Sequence, residues 1–218
     1  MDYYRRILAA WGRRFPGSAP SLIIDSLDVQ VALRLLTNDR PALVRYLLGS
    51  VERLERAGVH FVAITANTPH LVFDDLAARA SVPLLSIVET CADEAARLGL
   101  RRLALIGTRF TMDASFYPET FARRGLEIVV PAASDRDWIH DRYINQLVKG
   151  DLREETRAEF VTLVERLRDE RAVDAVILGG TELPLLLRSP IIAGVPVLDT
   201  TGLHVQAIVD RLSLASAG

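Results

Sequence analysis

The sequence predicts an α/β protein of two pseudo-symmetric lobes, each built on a parallel sheet, with the opening strand of the first lobe missing. Three observations carry this. Short β-branched apolar runs alternate with helical patterns along the chain, as in parallel sheets joined by crossover helices. A pattern of two strands and two helices recurs at an offset of 113 to 114 residues, so the chain reads as an internal duplication. The second copy begins with a strand for which the first has no counterpart.

The 218 residues are half apolar and a quarter charged, with a formal net charge of −2, so neither nucleic acid nor an acidic membrane surface is an expected partner. The opening "MDYYRRILAAWGRRF" lacks the uninterrupted apolar core of a secretory signal, and no apolar run is long enough to span a bilayer. A cytoplasmic protein is expected. One cysteine, Cys91, cannot form an internal disulfide, and no His/Cys cluster has metal-ligand spacing, so no metal is expected either.

Taken in order, the opening segment reads as a helix, and strands are expected at "SLIID" (21–25), "HFVAIT" (60–65), "VPLLSI" (82–87), "RRLALIG" (101–107), "LEIVV" (126–130), "DAVILG" (174–179) and "VPVLD" (195–199). "ETRAEFVTLVERLRDE" is an amphipathic helix with Phe160, Leu163, Val164 and Leu167 on one face and solvated charges on the other. The repeat pairs "HFVAITANTPHL" with "DAVILGGTELPL", and "SVPLLSIVETCADEAARL" with "GVPVLDTTGLHVQAIVDRL". It assigns residues 1–98 and 200–218 to the first lobe and 99–199 to the second. The second copy opens with a strand from Arg101 to Thr108, whereas its counterpart in the first copy begins at the turn. Either the gene starts upstream of Met1 or the first lobe has a gap in its sheet that weakens it.

In open parallel sheets, ligands bind beyond the carboxyl ends of the strands. The candidates are "TANTPH" (65–70), "GTRFTM" (107–112) and "GGTE" (179–182), each with hydroxyls beside a helix start. Thr68 is suited to an N-cap before Pro69, and Thr181 to a cap of a helix whose first turn carries Glu182. Uncapped N–H groups and the positive ends of helix dipoles would hold the carboxylates of a small diacid. The plainer alternative is that these threonines only cap helices.

These blocks, with "DYYRRI", resemble the aspartate/glutamate racemase family, whose matching stretches commonly read Cys-Asn-Thr-x-His and Gly-Cys-Thr-Glu. The likeness runs from Asp2 to about Leu212. It implies a two-lobed Asp/Glu racemase-like fold, no cofactor, a small-molecule carboxylate ligand between the lobes, and two cysteines working from opposite faces of the ligand's α-carbon; it leaves a homodimer open. Carried over by position, Asn67, Thr68, Thr108, Thr111, Thr181 and Glu182 match substrate-binding positions. Ala66 and Gly180 stand where the two cysteines would be. Cys91 lies within the "ETCADEAARL" helix and reads as a small core residue.

A positioned acid or base contributes about 10²- to 10⁴-fold, so losing two costs roughly 10⁴ to 10⁸, or about 5 to 11 kcal/mol of barrier. Ordinary two-cysteine racemisation is therefore not expected, and the small residues at 66 and 180 should leave open space. Remaining acid or base candidates are Glu182, His70 and His204, each with a structural alternative as a first-turn, backbone-bonded or helix-surface residue. Arg109 is a candidate for a ligand carboxylate or a surface ion pair. Asp113, Glu89 and the stretch "SDRDWIHDRY" have no interpretable spacing. Three functions remain: an isomerase or lyase with altered chemistry, a carboxylate-metabolite binding protein without catalysis, or a folded remnant.

Overall fold

The computed structural model describes residues 2–215, which form two compact units. The first comprises residues up to 65, 69–86 and from 205 onward; the second comprises 66–68 and 87–204. None of the helices is long and apolar enough to cross a membrane.

The first unit contains α1 (Asp2–Arg14), α2 (Val29–Asn38), α3 (Arg40–Arg56), β1 (Val62–Ala63), α4 (Phe73–Ala77) and β2 (Leu84–Leu85). Apolar positions at helical spacing drive its packing. Ile7, Ala10 and Trp11 of α1 meet Val205, Ile208 and Val209 of the last helix, while Leu43, Val44 and Leu47 of α3 pack on Val72 and Leu76. Asp28 and Asp39 cap α2 and α3 by accepting first-turn N–H groups. The segment "SLIID" is not a strand: residues 18–28 carry no regular secondary structure, and Ile23 and Ile24 are exposed. β-branched residues favour a strand only where a neighbouring edge pairs with them. Here the segment is held through Asp25, whose carboxylate accepts the Ser50 hydroxyl and the Arg53 guanidinium. The first strand among the described residues is thus β1, and this unit's sheet has only the β1–β2 pair.

The second unit contains α5 (Ile87–Arg97), β3 (Arg102–Gly107), α6 (Arg109–Asp113), α7 (Phe116–Ala122), β4 (Glu127–Val129), α8 (Ala133–Asn145), α9 (Glu154–Arg171), β5 (Ala175–Gly179), α10 (Leu183–Leu186), β6 (Ile191–Ile192), β7 (Val195–Asp199) and the start of α11 (Thr200–Ala215). The strand order is β4-β3-β5-β7-β6, parallel except for the β6–β7 hairpin. Strands β3 and β5 are buried on both faces from Leu103 and Ala175 onward, which explains their unbroken apolar runs. Helix α9 buries Phe160, Leu163, Val164 and Leu167, as its spacing predicts. Helix α5, placed with the first lobe by the repeat, belongs to this unit: its buried face of Ile87, Val88, Cys91, Ala92 and Ala95 packs toward α7.

The duplication extends to strand register. Val62 pairs with Leu84 and Ala63 with Leu85; the equivalent positions, Val176 with Val197 and Ile177 with Leu198, pair in the same parallel sense. A one-residue slip in either copy would turn every side chain to the wrong face.

Asp174 ties the bottom of the large sheet by accepting the Arg101 and Arg102 N–H groups at 2.7 and 3.1 Å. Asp174→Ala should cost about 1 to 3 kcal/mol by stranding those donors. Urea unfolding measures this, and an unchanged midpoint would show that water replaces the carboxylate.

Candidate functional site

The parallel strands β3, β5 and β7 end side by side, with Gly107 paired to Gly179 and Leu178 to Asp199. A Cβ at Gly107 would lie 2.8 Å from the Gly179 carbonyl oxygen, so the strand ends approach more closely than side chains allow. Strands β3 and β7 are followed directly by a threonine, and β5 by Gly180 and then Thr181. Thr108 caps α6, accepting the Thr111 N–H at 3.3 Å, and its hydroxyl meets that of Thr111 at 3.1 Å. Thr200 donates back to the Leu178 carbonyl at 2.7 Å.

Residues 66–68 are part of the same unit. Asn67 is buried: its amide nitrogen approaches the Thr200 hydroxyl at 3.4 Å, and its carbonyl oxygen accepts the Tyr117 hydroxyl at 2.7 Å. Thr68 opens the 3-10 turn Thr68–Val72. Thus Asn67, Thr68, Thr108, Thr111, Thr181 and Glu182 are brought onto one unit.

After β5 the structure departs from expectation in two ways. Thr181 does not cap α10; Glu182 holds the N-cap position without a side-chain cap bond, and the Thr181 hydroxyl donates to the Glu182 carboxylate at 2.8 Å. Nor is the space at Gly180 open. A Cβ there would stand 2.5 Å from both Cε2 and the hydroxyl oxygen of Tyr143. Tyr143, on α8 and 5% exposed, projects its ring into that space and donates its hydroxyl to the same Glu182 oxygen. Burial and the adjacent Glu182 charge push the Tyr143 pKa up, so it remains a neutral phenol. No cation pairs with Glu182 among the described residues. Gly180 has no positive φ, so its backbone would accept an L side chain if Tyr143 withdrew.

His140 lies three residues before Tyr143, on the same side of α8. Its Nδ1 accepts the Arg109 N–H at 3.3 Å, which leaves Nε2 to carry the proton. Burial first, then the Arg109 charge, lower its pKa and favour the neutral ring. Neither residue is legible as a site residue from the sequence alone. Their signal was a histidine and a tyrosine three apart, but α8 must be docked against α6 before they have anything to act on.

The other candidates are buried or held in ion pairs. His70 is buried in the first unit, its ring stacked 5.0 Å from Phe73. His204 is fully buried within α11, so it is not a helix-surface residue. Arg109 pairs with Asp137, Asp113 with Arg136, and Glu89 with Arg123, all as partly exposed ion pairs. Cys91 is fully buried, and burial pushes its thiol pKa up, so it is no substitute proton acceptor.

Comparison with known proteins agrees with this architecture. A crystal structure of an aspartate racemase homologue from Pyrococcus horikoshii OT3 superposes with a TM-score of 0.84 at 32% identity, covering 97% of this chain and 92% of that one. A glutamate racemase from Koribacter versatilis is 28% identical over 191 residues, 82% of this chain but only 62% of its own length. A broad specificity amino-acid racemase from Bacillus subtilis is 24% identical over 175 residues, 78% of this chain and 73% of that protein. The model of the Asp/Glu/hydantoin racemase family matches residues 1–208, and the chain therefore belongs to that family.

Proposed function

We propose that this protein binds a small acidic amino acid or dicarboxylate at the strand ends of its larger unit, with the ordinary two-thiol proton transfer of its family lost. The observation that carries this reading is a polar set present without the two thiols. Asn67, Thr108, Thr111, Thr181 and Glu182 remain around the β3, β5 and β7 ends, while positions 66 and 180 hold alanine and glycine. Neutral hydroxyls and amides at helix starts suit carboxylate oxygens, and a lost general acid or base is worth about 10² to 10⁴ in rate. Reading the chain as a remnant leaves this clustering without a cause.

Two measurements test the proposal together. In D₂O, the α-proton resonances of aspartate and glutamate should persist in the presence of the protein. The same ligands should raise its melting temperature, since a ligand at about ten times its Kd adds about 1.4 kcal/mol of stability. Fast loss of the α-proton signal would show that Glu182, His70, His204 or another group performs the proton transfer. No thermal shift with any diacid or acidic amino acid would sink the binding reading.

A further inference from the structure

We propose that His140 is an acid-released latch on α6: its neutral ring holds the first turn of that helix against α8, and protonation lets the turn go. The turn so controlled follows β3 and lies between Thr108 and Thr111. The latch stands whether or not those hydroxyls meet a ligand.

The first turn of α6 is tied to α8 through its backbone, a charge and a ring. The Arg109 N–H, one of the donors that a helix leaves unpaired at its start, donates to His140 Nδ1 at 3.3 Å. The Arg109 guanidinium pairs with Asp137, and the Phe110 ring stands edge-on to the His140 imidazole with centroids 6.1 Å apart. Arg109 and Phe110 are exposed, whereas Thr111 and Met112 are buried, so the far end of α6 is anchored while its first turn is free to swing. Of these ties, the hydrogen bond is the one that reverses with pH near neutrality. A neutral imidazole offers Nδ1 as an acceptor. An imidazolium carries a proton on both nitrogens, so it would aim a donor at a donor and set a cation beside Arg109.

The charges that bear on His140 are Arg109 and Asp113 from α6 and Asp137 and Asp141 from α8. Asp137 and Asp113 are already paired, with Arg109 and Arg136, so they compensate an imidazolium weakly; burial and the Arg109 charge prevail and favour the neutral ring. Strand β3 also packs on α8, but its charged residue, Arg102, lies at the end away from α6. The turn Leu147–Lys149 brings the exposed Lys149, well along the chain from His140. Helix α9 reaches α8 at Asp135, Trp138 and Arg142, on the side opposite His140. Opening the turn exposes the ring and returns its pKa toward the ordinary 6.5, so the open form takes up a proton before the latched form does. Below that value each further pH unit favours the open form by up to about ten-fold, until the latched ring also titrates.

Amide hydrogen exchange of the full chain, followed by NMR from about pH 5 to 8 and corrected for the intrinsic pH dependence of exchange, tests the latch. Protection of the Arg109 N–H should fall by about five- to ten-fold per pH unit below the ordinary histidine value, while that of Leu105 in β3 stays constant. His140→Asn keeps an acceptor oxygen near the place of Nδ1 but does not titrate, and its Arg109 protection should be independent of pH. His140→Ala lacks the acceptor, and Arg109 should be poorly protected throughout. Leu105 protection verifies the fold of each variant. Constant Arg109 protection in the intact chain overturns the latch, as does an equal pH-dependent fall in His140→Asn. A parallel loss at Leu105 in the intact chain would mean global unfolding and overturns it as well.

Discussion

Ala66→Cys with Gly180→Cys produces little exchange of the aspartate α-proton in D₂O until Tyr143→Ala is added, and the triple variant then exchanges roughly 10²-fold faster or more, the contribution of one positioned proton-transfer group. The obstacle is steric. A Cβ at 180 meets the Tyr143 ring at 2.5 Å, and a thiol beyond it would have nowhere to go. The backbone is no obstacle, because Gly180 lacks the positive φ that would penalise cysteine. In the double variant the ring and thiol compete for one volume, an overpacking cost of about 1 to 3 kcal/mol. Tyr143→Ala relieves it, so the triple variant should also regain part of the melting temperature lost in the double. Such gains are strongly non-additive when two groups act as a unit, so each single cysteine variant should remain near background. Proton NMR at saturating aspartate measures the rate independently of weaker binding. A double variant as fast as the triple would show that Tyr143 moves aside freely, and complementarity between 143 and 180 would fail.

Above pH 9 the protein loses stability steeply, and two buried acids account for it. Cys91 and Tyr143 have ordinary pKa values of 9.0 and 10.0, and both are pushed up in the folded chain, chiefly by burial. A group with a raised folded pKa keeps its proton in the native state while the unfolded chain gives it up. Its stabilising contribution is complete below the unfolded value and is lost as pH rises beyond it. From about pH 9 the thiol contributes a slope of about 1.4 kcal/mol per pH unit, and the phenol doubles this from about pH 10. Cys91→Ala should remove the slope between about pH 9 and 10 and halve it above that, whereas Tyr143→Phe should only halve it above about pH 10, as read from urea midpoints between pH 8 and 11. A flat profile over that range would mean that both groups ionise in place. The same burial predicts that Cys91 resists thiol reagents until the chain unfolds.

The sequence by itself determined the α/β class, the duplication and the identity of the polar residues at three strand ends. These follow from period, spacing and residue type, which are local properties. Buried parallel strands must read as unbroken apolar runs, and "RRLALIG" and "DAVILG" do. The offset between the copies even anticipated the shared register of the β1–β2 and β5–β7 pairs. "SLIID" misled because strand propensity has no force without a partner edge, and edges exist only in three dimensions. Helix α5 went to the larger unit because packing against α7 outweighed its place in the repeat. The site divided in the same way. That positions 66 and 180 lack thiols is written in the chain, but that the space beside Gly180 is filled is not. The filling residue comes from α8, 37 positions earlier, in a stretch whose own spacing conveyed nothing. Only the docking of that helix beside the β3 end brings the Tyr143 hydroxyl to Glu182, because a hydrogen bond between distant residues depends on packing geometry rather than on composition.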